Sequence, residues 1–222
     1  MTTLPLARFD LIVFDWDGTL MDSTATITQC IQEAARDLGH PVPSREQASH
    51  VIGLGLVDAL AHAVPTLTRE EYPKMAERYR HHWLALSNTD VLFEGAKAML
   101  DSLKARGAKL TVATGKTRKG LDRALIDTGL VGYFDWTRCA DETQSKPHPA
   151  MLLETLSRLG SSANRTLMVG DTTHDSQMAR NAGIAALSVT QGAHSRETLQ
   201  ALEPLAVVAS ISEMHAWFDA HA

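Results

Sequence analysis

The sequence predicts a doubly wound α/β core, a mostly parallel sheet with helices on both faces, interrupted by an all-helical insertion. Three observations predict it. Short apolar runs recur along the chain, helical patterns fill most of the intervals, and one long interval near the N-terminus is helical throughout. Parallel strands covered on both faces read as continuous apolar runs, so this alternation points to a Rossmann-like sheet.

The runs are residues 11–14, 110–113, 167–169, 185–189 and 205–208. Ala96, Met99, Leu100 and Leu103 share one helical face, and Gly107 supplies a left-handed stop. A second helix spans about 150–159 and stops at Gly160. In the insertion, Ile27, Ile31, Ala34, Ala35 and Leu38 share a face that ends at Gly39. Thr68 to Glu71 has the pattern of a capping box. Behind it Tyr72, Met75, Tyr79, Trp83 and Leu86 recur at helical spacing, which reads as a core stripe rather than a binding box. Residues 1–20 and 92–222 are thus expected to form a discontinuous core, and residues 21–91 a separate helical unit.

Composition narrows the function. A chain of 222 residues, 44% apolar and 21% charged, can bury a sizeable core without covalent staples. Cys30 and Cys139 are far apart and match no zinc or redox spacing, so two reduced buried thiols are expected. A formal charge of −5 without a basic stripe argues against nucleic acid as a partner. No segment approaches the roughly twenty apolar residues of a membrane span, and the run 11–14 is too short for a signal segment, so the chain reads as cytoplasmic with no membrane partner.

The chemistry concentrates at strand ends. Asp15-Trp16-Asp17-Gly18-Thr19 follows the first run directly, where open α/β sheets bind ligands. Gly18 permits a sharp turn, and the following amides could cradle an anion. A surface Asp-Gly turn is the plain alternative. Thr114 ends the second run and could equally cap a helix over 117–125. Asp171 and Asp175, after the third run, could be an acidic first helical turn. Lys146 lies in Ser145-Lys146-Pro147-His148-Pro149, and a lone lysine is usually solvated. His148, flanked by prolines, reads as structural.

Taken together and in order, these segments resemble the four motifs of haloacid dehalogenase superfamily phosphatases: Asp15 to Leu20 with Asp22-Ser23, then Thr114, Lys146, and Gly170 to Asp175. The resemblance spans Asp15 to Asp175 and implies a Mg²⁺-dependent phosphatase acting on a small phosphorylated metabolite. It implies Asp15 as nucleophile, forming an aspartyl-phosphate, and Asp17 as the acid and base at the leaving oxygen. Thr114 and Lys146 would balance phosphoryl charge. Mg²⁺ would sit on oxygens of Asp15 and Asp171 and the backbone carbonyl of Asp17, with Asp175 orienting its water shell.

The branch follows by the same resemblance. Asp17 and a first lysine as late as Lys74 disfavour dehalogenases and phosphonate hydrolases. Ile27 stands where a mutase carries a cap histidine. Thr114-Gly115-Lys116 resembles the Thr-x-Lys of the phosphoglycolate phosphatase and pyrophosphatase branch, whose helical cap matches the insertion. Gly53 and Gly55 mark residues 52–56 as the loop expected to close over the site, although a helix-start turn fits equally. No Lys or Arg lies between Glu46 and Thr68 to hold a substrate carboxylate, only His50 and His62. Pyrophosphate hydrolysis, sugar-phosphate mutation and a silent regulatory role are the alternatives, and a monomer or homodimer is expected.

Overall fold

A computed structural model describes residues 9–86 and 91–221. The chain opens with β1 (Leu11–Phe14) and β2 (Met21–Asp22), then α1 (Thr24–Asp37), α2 (Arg45–His50), α3 (Leu56–Ala63) and α4 (Tyr72–Leu86), and returns through β3 (Val91–Leu92). There follow α5 (Ala96–Ala105), β4 (Lys109–Thr114), α6 (Arg118–Asp127), β5 (Trp136–Cys139) and α7 (Ala150–Leu159). The last elements are β6 (Thr166–Gly170), α8 (Thr173–Asn181), β7 (Ala185–Val189), α9 (Arg196–Gln200), β8 (Ala206–Val208) and α10 (Ile211–Ala220).

Six strands form one parallel sheet in the order β5-β4-β1-β6-β7-β8. The alternation along β1 shows how both faces are used. Ile12 and Phe14 join a core that includes Met99, Leu100 and Leu103 of α5 and Met214 and Phe218 of α10. Leu11 and Val13 point the other way, to Met151 and Leu152 of α7 and Met178 of α8. Each such buried side chain contributes roughly 1.5–3 kcal/mol relative to an exposed one, so β1 is anchored from both sides.

Three differences from expectation have physical reasons. The edge strand β5, with the sequence Trp-Thr-Arg-Cys, has one fully buried residue and therefore lacks an apolar run. The interval expected to hold no strand contains β2, which pairs antiparallel with β3 where the helical segment begins and ends. Thr68 and Glu71 do bond, with the Glu71 carboxylate accepting from the Thr68 amide at 2.9 Å, but in a turn ahead of α4.

The segment from α1 to α4 has its own apolar cluster, built on Ile27, Ile31, Ala34, Ala35, Leu60 and Met75. Tyr79 and Trp83 are half-buried against it and also line a cavity, so the aromatic stripe is part core and part wall. Cys30 and Cys139 are buried thiols, neither of them in a disulfide. No described helix is long and apolar enough to cross a membrane.

Candidate active site

β1 is the strand at which the winding of the sheet reverses, with β4 on one side and β6 on the other. The carboxyl ends of these three strands therefore meet, and they carry Asp15, Thr114 and Asp171. Parallel register aligns Phe14 with both Val112 and Val169, and the Asp15 amide continues the ladder by donating to the Val169 carbonyl at 2.9 Å. The chain then turns back, Leu20 and Met21 donating to the Trp16 carbonyl. Gly18 sits in this turn at φ +78°, where a β-carbon would stand 2.2 Å from an Asp171 carboxylate oxygen. Only glycine allows the turn and the carboxylate to share that space.

Asp15, Asp171 and Asp175 are buried, with carboxylate oxygens within 4.8 Å of one another. Lys146, also buried, places its Nζ 2.7 Å from Asp15 Oδ1 and 2.7 Å from Asp175 Oδ1. Asp171 accepts from the Thr19 hydroxyl at 2.7 Å and the Ala193 amide at 2.8 Å. Asp175 is the third residue of α8, where its Oδ2 accepts from the Thr172 amide and hydroxyl in a capping box. Both of its oxygens are thus engaged. Asp15 Oδ2 is buried with no hydrogen-bond partner.

Three buried carboxylates lie beside one ammonium that pairs with two of them, and the protonation balance reflects it. Burial chiefly, with Asp175 and Asp171 adding to it, holds the Asp15 carboxyl well above its ordinary range although Lys146 opposes this. Burial and then Asp175 push Asp171 up to about 7. Burial works against the Lys146 charge, but Asp15 and Asp175 overcome it and hold the ammonium above its ordinary value. The excess negative charge and the hard oxygen donors gathered within 4.8 Å fit a divalent cation such as Mg²⁺ held by Asp15 and Asp171.

Asp17 stands apart from this cluster. Its Oδ1 accepts from the Ser23 hydroxyl at 2.6 Å and lies 3.0 Å from Lys116 Nζ. Ser23 is the N-cap of α1 yet makes no side-chain cap bond; its hydroxyl serves Asp17 instead. Thr114 is buried and accepts from the Lys116 amide at 3.2 Å, and the cap of α6 is Thr117. His148 is exposed, its Nδ1 accepting from the Ala150 amide.

The loop between α2 and α3 closes on this edge of the sheet. The Gly55 amide donates to Ser145 Oγ at 2.7 Å. A β-carbon on Gly115 would meet the carbonyl oxygens of Leu54 and Gly53 at 2.4 and 2.6 Å, so backbone lies directly against backbone. A β-carbon on Gly53 would stand 3.9 Å from Asp15 Oδ2. Gly55 also begins α3, so the expected loop is a helix-start turn as well. Beyond it, a cavity of about 520 Å³ starts at Asp17, Gly53, Gly115 and Lys116 and lies between the helical segment and α6. Nearby, the His50 carbonyl accepts from both His174 and His194, tying α2 to the core. His194 also accepts from the Thr173 amide, so both of its nitrogens are occupied.

All ten sequence-selected residues therefore lie at or beside one edge of the sheet. Four pairings were not expected from the sequence: Lys116 with Asp17, Thr19 with Asp171, Ser23 with Asp17 and Ser145 with Gly55. Lys116 belongs to the Thr-x-Lys resemblance, and Thr19, Ser23 and Ser145 lie within the motif segments, but no local pattern encodes which carboxylate or amide each one meets.

The family pattern of haloacid dehalogenase-like hydrolases matches residues 12–189. The chain is 39% identical over 210 residues to "Probable phosphatase IndB" of Dickeya dadantii, covering 92% of this chain and 91% of the relative. It is 32% identical over 215 residues to the pyrophosphatase PpaX of Bacillus pumilus, covering 94% and 95%. A crystal structure of "a predicted phosphoglycolate phosphatase" from Haemophilus somnus superposes with a TM-score of 0.84 at 27% identity, covering 95% of this chain and 98% of that one.

Proposed function

The chain belongs to the haloacid dehalogenase-like hydrolases, and from that premise we propose a Mg²⁺-dependent phosphatase that works through an aspartyl-phosphate on Asp15. The substrate is a small phosphomonoester, and the relatives that place the chain in this branch include phosphoglycolate phosphatases. Residues 21–91 act as a helical cap over the site. With both cysteines as thiols, the reading includes a cytoplasmic protein, monomeric or homodimeric.

The observation that carries this reading is Lys146 between Asp15 and Asp175, 2.7 Å from each, with the other Asp15 oxygen unsatisfied. Asp15 has one oxygen fixed by an ammonium and one left to react. Its free oxygen forms a bond to phosphorus as the ester oxygen leaves, and Asp17 gives that oxygen its proton. Water then attacks the aspartyl-phosphate, Asp17 takes the water's proton, and inorganic phosphate departs. Thr114 and Lys146 balance charge on the transferring group. A Mg²⁺ held by Asp15 and Asp171 would supply the charge neutralisation that lets a carboxylate approach a phosphate dianion. Ser23 and Lys116 keep the Asp17 carboxylate oriented.

The test is phosphate release from a panel of esters and pyrophosphate, with Mg²⁺ or EDTA. Release from esters only with Mg²⁺ is expected. Release from pyrophosphate alone moves the assignment to a pyrophosphatase, which the 32% identity to PpaX favours as second reading. No release from any compound overturns it.

A further inference from the structure

The cavity beside Asp17 is unlike one built for a two-carbon acid. At about 520 Å³ it falls in the range of about 300–1,000 Å³ typical of sites for drug-sized ligands. Its walls are mainly apolar: Ile27 and Ile31 of α1, Ile52 and Leu54 of the closing loop, and Tyr79 and Trp83 of α4. Tyr79 and Trp83 lie nearly parallel, 17° apart, with centroids separated by 6.4 Å.

The cations are placed equally unlike a carboxylate clamp. Lys116 is the one beside Asp17 at the inner end, and it is already committed, 3.0 Å from that carboxylate and 4.4 Å from the Trp83 ring centre. Arg123 is paired with Asp127 at 2.7 Å on α6. Arg80 and Lys119 line the cavity but are exposed, where water screens them. They can draw a dianionic substrate inwards without gripping a second acid group.

We infer that the alcohol released from the substrate carries an apolar, ring-sized body, held in this cavity between the α1–α4 segment and α6. The inference rests on the phosphatase reading above and specifies its substrate class. The phosphoryl end lies at Asp15, past Gly53 and Asp17, and the ring displaces water from apolar wall. A small acid would leave most of that wall wet and would meet a lysine that already has its partner.

The test compares 2-phenylethyl phosphate, ethyl phosphate and phosphoglycolate on the intact protein with Mg²⁺. The first two are both primary alkyl esters, so their difference reports the ring rather than the leaving group. Burying the ring should raise kcat/KM by about tenfold or more over ethyl phosphate, and phosphoglycolate should be a poor substrate. In Trp83→Ala the ratio between the two alkyl esters should fall several-fold. A ratio near one in the unaltered protein, or phosphoglycolate as the best substrate, overturns the inference and leaves the phosphatase reading standing. No hydrolysis of any of the three, nor of the wider panel, removes both.

Discussion

Asp175 holds Lys146 at 2.7 Å with one carboxylate oxygen while its other oxygen caps the helix on which it sits. The rigid start of α8 thus fixes the ammonium that faces Asp15. Asp175→Ala removes the capping bonds and one of the two anions on Lys146. A loss of about 1–3 kcal/mol is expected from the broken buried bonds, together with a marked fall in phosphatase rate. Urea unfolding and initial rates on one sample check this; unchanged values for both would show that the pairing has no consequence.

Asp15→Asn should lower turnover by a thousandfold or more, on the order of what loss of a covalent nucleophile costs. The fold should persist, with a melting temperature within a few degrees, since the amide replaces a charge that burial disfavours and Lys146 keeps Asp175. Circular dichroism and initial rates decide it. A variant with most of its activity would rule out the aspartyl-phosphate.

Magnesium should stabilise the protein more at pH 8 than at pH 5.5. Asp171, pushed up to about 7, and Asp15, also raised, bind protons in the folded metal-free site that an unfolded chain would release near pH 4. Their contribution to stability is full at low pH and lost as pH rises through the folded-state values. A cation competes with those protons and offsets the loss. The difference in melting temperature between Mg²⁺ and EDTA should therefore grow with pH; an equal difference at both would count against these carboxylates as ligands.

Gly115→Ala tests the approach of the loop over residues 52–55. The added methyl would stand 2.4 Å from the Leu54 carbonyl oxygen, so one backbone segment has to move. A displacement near 1 Å beside the site can cost about a hundredfold in rate. The expected result is a large fall in kcat/KM with nearly unchanged thermal stability. Full activity would show that the loop need not close this tightly.

The central sheet and the acidic cluster were legible in the sequence because burial on both faces writes itself as apolar runs, and the motif residues follow those runs at once. Asp15, Thr114 and Asp171 stand where strand ends meet, but a turn, a helix cap and an acidic first turn read as well there, and the ordered resemblance to the four family motifs is what singles them out. β5 was not legible, since an edge strand carries no apolar run. The two roles of Tyr79 and Trp83 were also hidden: helical spacing says that a face is covered, not whether protein or ligand covers it. The pairing of Lys116 with Asp17 joins two loops nearly a hundred residues apart, a contact that no local pattern encodes.

The short pairing of β2 with β3 places the two ends of residues 23–90 side by side. In polymer terms the intervening chain is a loop already closed at its base. For such a loop each doubling of length adds only about 0.6 kcal/mol of closure entropy. Helices could therefore be lengthened, added or exchanged beyond Asp22 and Val91 at little thermodynamic cost to the sheet. A catalytic edge of fixed geometry can in this way accompany a helical segment free to vary in size, and the shape of the cavity beneath it can drift without disturbing the strand ends that carry the carboxylates.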